Sequence, residues 1–134
     1  MQVKRFKDTT GNAEFYALMG KYFAESKYKK EIPYMSNQKG DVWFVAMDNG
    51  TVMRFVSVGE TNSKIVLKHD YVEEEYRQNK VFTRLNKERM DYVDKIKKPM
   101  EVAVKEQCLI AYWTKRGFKG FRESGSYTYL RKDV

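Results

Sequence analysis

Hydrophobic and polar residues alternate along this chain with two periods, and the first clear pattern is helical. An apolar stripe at spacings of three and four predicts a helix over residues 12–26. The stripe consists of Phe15, Leu18, Met19 and Tyr22. Thr10 or Asn12 can cap this helix through a side-chain oxygen. The basic segment that follows, residues 27–40, contains Pro33 and Gly40 and is predicted to form a short helix or a loop.

The helical period returns twice in the second half of the chain. It covers residues 77–97, where Pro99 ends the pattern, and residues 107–116. The apolar positions of these two helices are Val81, Leu85, Tyr92, Val93 and Ile96, then Leu109, Tyr112 and Trp113. Gly117 follows the last helix in the position that favours a left-handed backbone. Both segments are therefore predicted to pack one face on a core.

Runs rich in β-branched and aromatic residues predict the strands. They cover residues 2–7, 41–47, 51–58, 64–72, 101–105, 118–121 and 127–131. Asn49 and Gly50 separate the second and third of these runs, and both residues tolerate a positive φ. This pair predicts a tight hairpin, followed by a third consecutive antiparallel strand.

The order of these elements predicts the topology. A helix between the fourth and fifth strands implies a crossover, which makes those two strands parallel inside an otherwise antiparallel sheet. Strands of such a pair part where the strand order changes, and ligands tend to bind in crevices of this kind. The sequence therefore predicts one α/β (α+β) domain over residues 1–134, with a mixed, splayed sheet and helices on both faces.

Composition is consistent with a single packed domain. The 134 residues are 42% hydrophobic and 15% aromatic, which is sufficient for a core. The longest apolar run, residues 42–47, is far shorter than the roughly 20 residues of a membrane span. Cys108 is the single cysteine, which excludes an internal disulfide, and we expect it in the core. With no secretory signal pattern at the start, we expect a cytoplasmic protein without a membrane partner.

The charge of the chain favours acidic partners. Lys and Arg number 26 against 18 Asp and Glu, a net charge of +8. Nucleic acid is one such partner. Basic runs at residues 27–30 and 95–98 can follow phosphates, with Tyr28 as a stacking surface, although solvated helix ends are the simpler interpretation.

Two short stretches stand out against this order of elements. Residues 72–85, VEEEYRQNKVFTRL, join the fourth predicted strand to the next helix, and residues 113–118, WTKRGF, end the last helix. The first resembles the strand-to-helix segment of the GNAT superfamily, which ends in Arg/Gln-x-x-Gly-x-Gly/Ala. The second is similar to that family's Tyr-x-x-x-Gly-Phe. The resemblance implies a GNAT-like fold and transfer of an acetyl or other acyl group from acyl-CoA to an amine.

The resemblance also implies where a cofactor would bind. In that family, backbone N–H groups at the start of the helix hold the pyrophosphate of coenzyme A, and glycines let the phosphates approach closely. Lys80 and Phe82 replace the two glycines here, so the motif is degenerate. The implied cofactor-binding residues are Val72, Arg77, Gln78, Asn79, Lys80, Val81 and Phe82. The expected cofactor is acetyl-CoA.

Candidate catalytic residues follow from the same comparison. Trp113 occupies the position where relatives use a Tyr as the general acid. The neighbouring Tyr112 is therefore a candidate catalytic residue, although it points about 100° away on a helix. Taking a lysine-like amine to its neutral form at pH 7 costs roughly 4.6 kcal/mol, so a base is wanted. Some relatives carry a carboxylate where this chain has Val66, which leaves His69 and Asp70 as candidate bases. An ordinary surface or interface role for His69 stays open.

Two other classes of function remain alternatives. Short, divergent GNAT-like chains of bacteriophages resemble virion components or DNA-modification factors, and this basic chain with its missing glycines is similar to them. It would then act without a cofactor, through a protein or DNA partner, although no base-pocket signature is present. The three carboxylates at residues 73–75 favour the positive end of a helix over a metal site. We therefore expect no metal.

Overall fold

Helices and strands follow one another in the order that the sequence predicts. The computed structural model describes residues 1–77 and 81–134, with the backbone alone described at 81–83. The strands are β1 (Gln2–Phe6), β2 (Val42–Asp48), β3 (Thr51–Glu60), β4 (Ile65–Val72), β5 (Met100–Val104), β6 (Lys119–Ser124) and β7 (Tyr127–Lys132). The helices are α1 (Ala13–Ala24), α2 (Ser26–Glu31), α3 (Val81–Asp94) and α4 (Gln107–Thr114). Each predicted strand is present close to its predicted bounds.

One sheet joins the strands in the order β1-β2-β3-β4-β5-β7-β6. Its neighbours are antiparallel except β4 and β5, which pair in parallel over residues 65–67 and 100–102. The helix α3 lies between these two strands in the chain and makes the crossover. The predicted parallel pair inside a mixed sheet is confirmed.

The turn between β2 and β3 is the predicted hairpin. Asn49 has a φ of 51° and Gly50 a φ of 79°, so both central residues are left-handed. Such a turn matches the right-handed twist of the flanking strands. Gly117 after α4 also has a positive φ, 92°, as its position predicts.

Helices cover both faces of the sheet, and each face has its own core. On one face α1 and α2 bury Phe15, Met19, Tyr22 and Tyr28 against Trp43, Val45, Phe55 and Tyr71 of the strands. On the other, α3 and α4 bury Leu85, Val93 and Trp113 against Phe44, Ala46, Leu67 and Val102. Neighbouring residues of β2 therefore serve opposite faces, because side chains alternate along a strand.

The first predicted helix is α1, and the short helix predicted as one alternative for residues 27–40 is α2. Asn12 caps α1, accepting a hydrogen bond from the backbone N–H of Phe15 at 3.0 Å. Glu25 is extended and separates α1 from α2. A continuous helix would place Tyr22 and Tyr28, six positions apart, about 120° apart around its axis. The break lets both rings pack on the same face, with centroids 4.5 Å apart.

The helix predicted over residues 77–97 is also shorter than expected. A single 3-10 turn, Glu74–Tyr76, follows β4, and α3 begins at Val81 and ends at Asp94. Lys97, two residues before Pro99, has a φ of 62° and lies outside the helix. The helical period of the sequence therefore continues beyond the C-terminal end of the helix itself.

Two expected environments are wrong. Cys108 is exposed rather than in the core. It lies five positions before the buried Trp113, which places it about 140° around α4. Tyr28 is buried, and its hydroxyl donates to Glu73 Oε2 at 3.0 Å, so it offers no stacking surface to a nucleobase. Within residues 1–77 and 81–134, none of the helices is long and apolar enough to span a membrane.

Candidate functional site

The facing edges of β4 and β5 part after a short paired stretch. Their parallel register ends at Leu67 and Val102, whereas β4 continues to Val72 and β5 to Val104. A cleft of about 350 Å³ opens where the strands separate. Its volume is within the range of small-molecule sites. The predicted gap between parting strands is therefore present.

Several elements contribute walls to this cleft. The strand residues that line it are Leu67, Lys68, His69 and Asp70 of β4 and Val102, Ala103 and Val104 of β5. The segment that follows α2, from Ile32 to Met35, closes one side. Arg89 of α3 and Trp113 of α4 close the other side. The cleft therefore passes between the two layers of helices.

A β-bulge shapes the β4 side of the cleft. Phe55 pairs with Tyr71 and Ser57 with Lys68, so Val56 alone faces two residues, His69 and Asp70. His69 has a φ of 54°, a left-handed conformation in which His is several-fold enriched among non-glycine residues. The extra residue reverses the alternation of side chains along the strand. Ile65 and Leu67 belong to the α3/α4 core, while Tyr71 belongs to the α1/α2 core. In a regular strand all three would share one face, because an even number of positions separates them.

The bulge places His69 against an aromatic wall. Its ring stacks on Trp43 with centroids 5.6 Å apart and planes 4° apart. Burial lowers the pKa of His69 to about 4, and the charge of Lys68 adds to this lowering. Asp41 and a hydrogen bond with the backbone of Ser36 oppose it. The imidazole is therefore neutral at pH 7, and its buried Nε2 has no hydrogen-bond partner among the described residues.

Asp70 lies beside His69 but interacts with a different neighbour. Arg54 donates to its Oδ1 from Nε at 3.0 Å and from Nη2 at 2.7 Å. The ion pair is partly buried, with exposed side-chain fractions of 15% for Arg54 and 30% for Asp70. Asp70 therefore holds a guanidinium at the wall of the cleft.

A buried polar group that the sequence interpretation missed is Arg89. It is 1% exposed, and its Nε and Nη2 donate to Asn86 Oδ1 at 3.3 and 2.9 Å. Its guanidinium carbon lies 5.7 Å from the centre of the Trp113 ring. The signal is present in the sequence, because Arg89 lies between Leu85 and Val93 on the i, i+4, i+8 stripe that faces the core. A charged residue on that stripe predicts a buried cation.

Tyr112, a predicted catalytic residue, is held away from the cleft lining. Asn86 Nδ2 donates to its hydroxyl at 2.7 Å, and the guanidinium of Arg116 lies 3.4 Å from its ring centre. Trp113, its neighbour on α4, lines the cleft instead. Of the three predicted catalytic residues, His69 and Asp70 therefore line the cleft and Tyr112 does not. Asn86 connects Tyr112 to Arg89, which does line it.

Of the predicted cofactor residues, the structure describes Val72 and Arg77 at and after the end of β4, and the backbone of Val81 and Phe82. Val72 is half-buried outside the cleft lining, and its carbonyl accepts from Arg77 Nε at 3.2 Å. Arg77 also donates to Glu31 Oε2 at 2.7 Å, so its guanidinium is engaged with its own chain. Val81 and Phe82 are in the first turn of α3. The other three predicted residues, Gln78, Asn79 and Lys80, lie outside the described residues.

The cleft fits one part of an acyl-CoA. Beyond Leu67 and Val102 the facing edges of β4 and β5 have no partner in the described register. An extended arm that carries amide groups can hydrogen-bond with such strand edges. The residues present therefore suit the arm that carries the acyl group.

Known structures share this fold over nearly the whole chain. An acyl-CoA N-acyltransferase from Pseudomonas aeruginosa matches with a TM-score of 0.77 at 12% identity, covering 98% of each chain. A PaiA N-acetyltransferase from Thermoplasma acidophilum, in complex with coenzyme A, matches with a TM-score of 0.63 at 18% identity, covering 100% of each chain. An acetyltransferase of the GNAT family from Staphylococcus aureus matches with a TM-score of 0.61 at 11% identity, covering 98% of each chain.

These similarities concern the three-dimensional structure rather than the sequence. No family model matches the sequence, and the comparison with curated proteins finds no match. The chain has the fold of the GNAT acyltransferases, as its two sequence stretches predict.

Proposed function

We propose that this protein transfers an acyl group from an acyl-CoA to an amine. The observation that carries the proposal is the separation of β4 and β5 beyond Leu67 and Val102, which opens a cleft between strands. The fold, shared with acyl-CoA N-acyltransferases, supports it. When bound, acyl-CoA supplies an acyl group activated as a thioester.

His69 contributes a neutral imidazole to the wall that the incoming amine passes. With a pKa of about 4 it is neutral at pH 7, and its Nε2 lacks a donor among the described residues. An alkylammonium has a pKa of about 10.4, so direct proton transfer to His69 costs roughly 9 kcal/mol. The acceptor therefore enters as a neutral amine. The neutral ring of His69 adds no positive charge at this wall, and the proton leaves to water once bonding to carbon has made the nitrogen acidic.

Asp70 acts through charge in this scheme. Its carboxylate is bound by Arg54, and its charge also acts on Arg89 across the wall of the cleft. It holds the cationic groups of the wall in place and does not take the proton itself. The acceptor approaches from the side formed by the segment after α2, where Tyr34 is 79% exposed.

Calorimetric titration with acetyl-CoA tests the proposal. Ala103 lines the cleft and is exposed, so Ala103→Trp fills the gap without disturbing a core. We expect the wild type to bind acetyl-CoA and this variant to bind about tenfold more weakly or worse, a difference of about 1.4 kcal/mol. The matched control is Ala111→Trp, an exposed alanine of α4 outside the cleft, which should bind as the wild type does.

Two results would contradict the proposal. One is equal affinity for acetyl-CoA in Ala103→Trp and Ala111→Trp. The other is absence of acetyl-CoA binding by the wild type. In the second case, salt-dependent affinity for duplex DNA in a parallel titration would favour nucleic-acid association, consistent with the net charge of +8.

A further inference from the structure

Among the described residues, the buried Arg89 has no carboxylate hydrogen-bonded to it. Its direct hydrogen-bond partner is the neutral side-chain oxygen of Asn86. The carboxylate whose charge favours its protonated form, Asp70, is already bound by Arg54 through two hydrogen bonds. Two guanidinium groups therefore share one carboxylate at this wall of the cleft.

Burial makes this arrangement costly. Removing a cation from water without a paired anion is unfavourable, and burial lowers the pKa of Arg89 to about 10. The group is still protonated at pH 7. Its guanidinium lies against the face of Trp113, which offers partial negative charge but no counterion. An anion that arrives in the cleft would supply the missing charge.

The proposed acyl transfer produces such an anion. The amine nitrogen forms a bond to the acyl carbon, the carbon–sulfur bond breaks, and its electron pair leaves on the sulfur of coenzyme A as a thiolate. The amine proton passes to water. The lining residue Trp113 has no acidic proton for the sulfur, and Tyr112 is not among the residues that line the cleft. A positive charge stabilises a thiolate without a proton transfer.

We propose that Arg89 stabilises the departing thiolate of coenzyme A by its charge, with Asn86 as a positioning residue that orients the guanidinium. This inference rests on the proposed acyl transfer. Asn86 contacts both Arg89 and Tyr112, so it fixes the guanidinium relative to α4. The same interaction lowers the pKa of the thiol of bound coenzyme A.

Binding of coenzyme A and of desulfo-coenzyme A, which lacks the thiol, tests this without catalysis. Both affinities are measured by calorimetry from about pH 7 to about pH 9.5, across the reference thiol pKa of about 8.5. In the wild type the ratio of the two affinities should rise with pH by about tenfold or more, because a thiol of lowered pKa loses its proton on binding. Desulfo-coenzyme A corrects for every other titrating group.

Three variants separate charge from structure. Arg89→Met removes the charge and should abolish the rise, while Arg89→Lys should retain part of it. Asn86→Asp is isosteric and still accepts from Arg89, while the hydroxyl of Tyr112 would become the donor to the new carboxylate. This carboxylate neutralises the guanidinium, so the rise should also be lost. If Arg89 had a purely structural role, the affinity ratio of Asn86→Asp would rise with pH as it does in the wild type. The matched control is Arg116→Met, which removes an exposed cation stacked on Tyr112 and should behave as the wild type.

The outcomes distinguish this inference from the function on which it rests. If both ligands bind the wild type with a ratio that does not change with pH, the role of Arg89 is wrong and acyl-CoA binding stands. A rise that persists in Arg89→Met or in Asn86→Asp also overturns it. If neither ligand binds, both proposals fall.

Discussion

The two halves of β4 share β3 as the neighbouring strand on one edge but differ on the other edge, where only the first half pairs with β5. In the first half, Ile65 and Leu67 pair with β3 and with β5, and both are buried in the apolar core under α3 and α4. In the second half the strand keeps β3 but parts from β5, and its residues His69 and Asp70 line the cleft. One strand therefore serves as core at one end and as a wall of the cleft at the other.

The difference between these halves arises from the bulge and from the crossover. The parallel ladder ends at Leu67, so beyond it one edge of β4 is released. The bulge at His69 then turns the following side chains to the other face of the sheet. Substitutions in the paired half should therefore cost stability through lost packing. Substitutions in the parted half should change the pH dependence of stability, the ion pair of the cleft wall and ligand binding.

The largest effect expected from this comparison concerns the paired half. Ile65 is 0% exposed, so Ile65→Ala should lower the free energy of unfolding by about 3 kcal/mol, through lost burial and a cavity. Urea unfolding measures this loss. Val66→Ala, in the same half but only half-buried, is the matched control and should cost about 1 kcal/mol. Equal costs for the two variants would show that this half is not packed as described.

A smaller effect, dependent on pH, concerns His69 in the parted half. Burial lowers its pKa from the usual 6.5 to about 4. Between these values the unfolded chain binds a proton that the folded protein excludes, so stability rises with pH. The contribution is fully present above about pH 6.5 and is lost as the pH falls through about 4. For a partly buried ring we expect a loss of about 2 kcal/mol.

The variant His69→Asn isolates this contribution. Asn tolerates the left-handed backbone of position 69 and does not titrate. As the pH falls from 6.5 to 4, the free energy of unfolding in urea should fall by about 2 kcal/mol more in the wild type than in His69→Asn. Identical slopes would mean that His69 is as accessible to protons in the folded protein as in the unfolded chain.

A third effect, smaller again, concerns the ion pair of the cleft wall. Asp70→Asn removes the charge that Arg54 binds through two hydrogen bonds and should cost about 1 kcal/mol in thermal or urea unfolding. The exposed pair of Lys87 and Asp91 on α3 is the matched comparison. Asp91→Asn should cost no more than about 0.5 kcal/mol. A larger cost at Asp91 than at Asp70 would contradict the partly buried geometry.

The candidate site was partly predictable from the sequence. His69 and Asp70 follow from their place at the end of a strand before a crossover, and both line the cleft. Arg89 stands on an apolar helical stripe, so its burial was predictable as well, although its role was not. The engagement of Arg77 by Glu31 was not predictable, because these two residues are 46 positions apart in the chain.

The order of strands and helices, the hairpin at Asn49 and Gly50, and the parallel pair follow from the sequence by itself. They depend on local periods, on turn chemistry and on a crossover that chirality restricts. The tertiary structure alone decided the bulge that stacks His69 on Trp43 and the hydrogen bonding of the buried Arg89 to the neutral Asn86. Both depend on the register between strands and on which charges meet from distant elements, and neither quantity has a local period in the sequence.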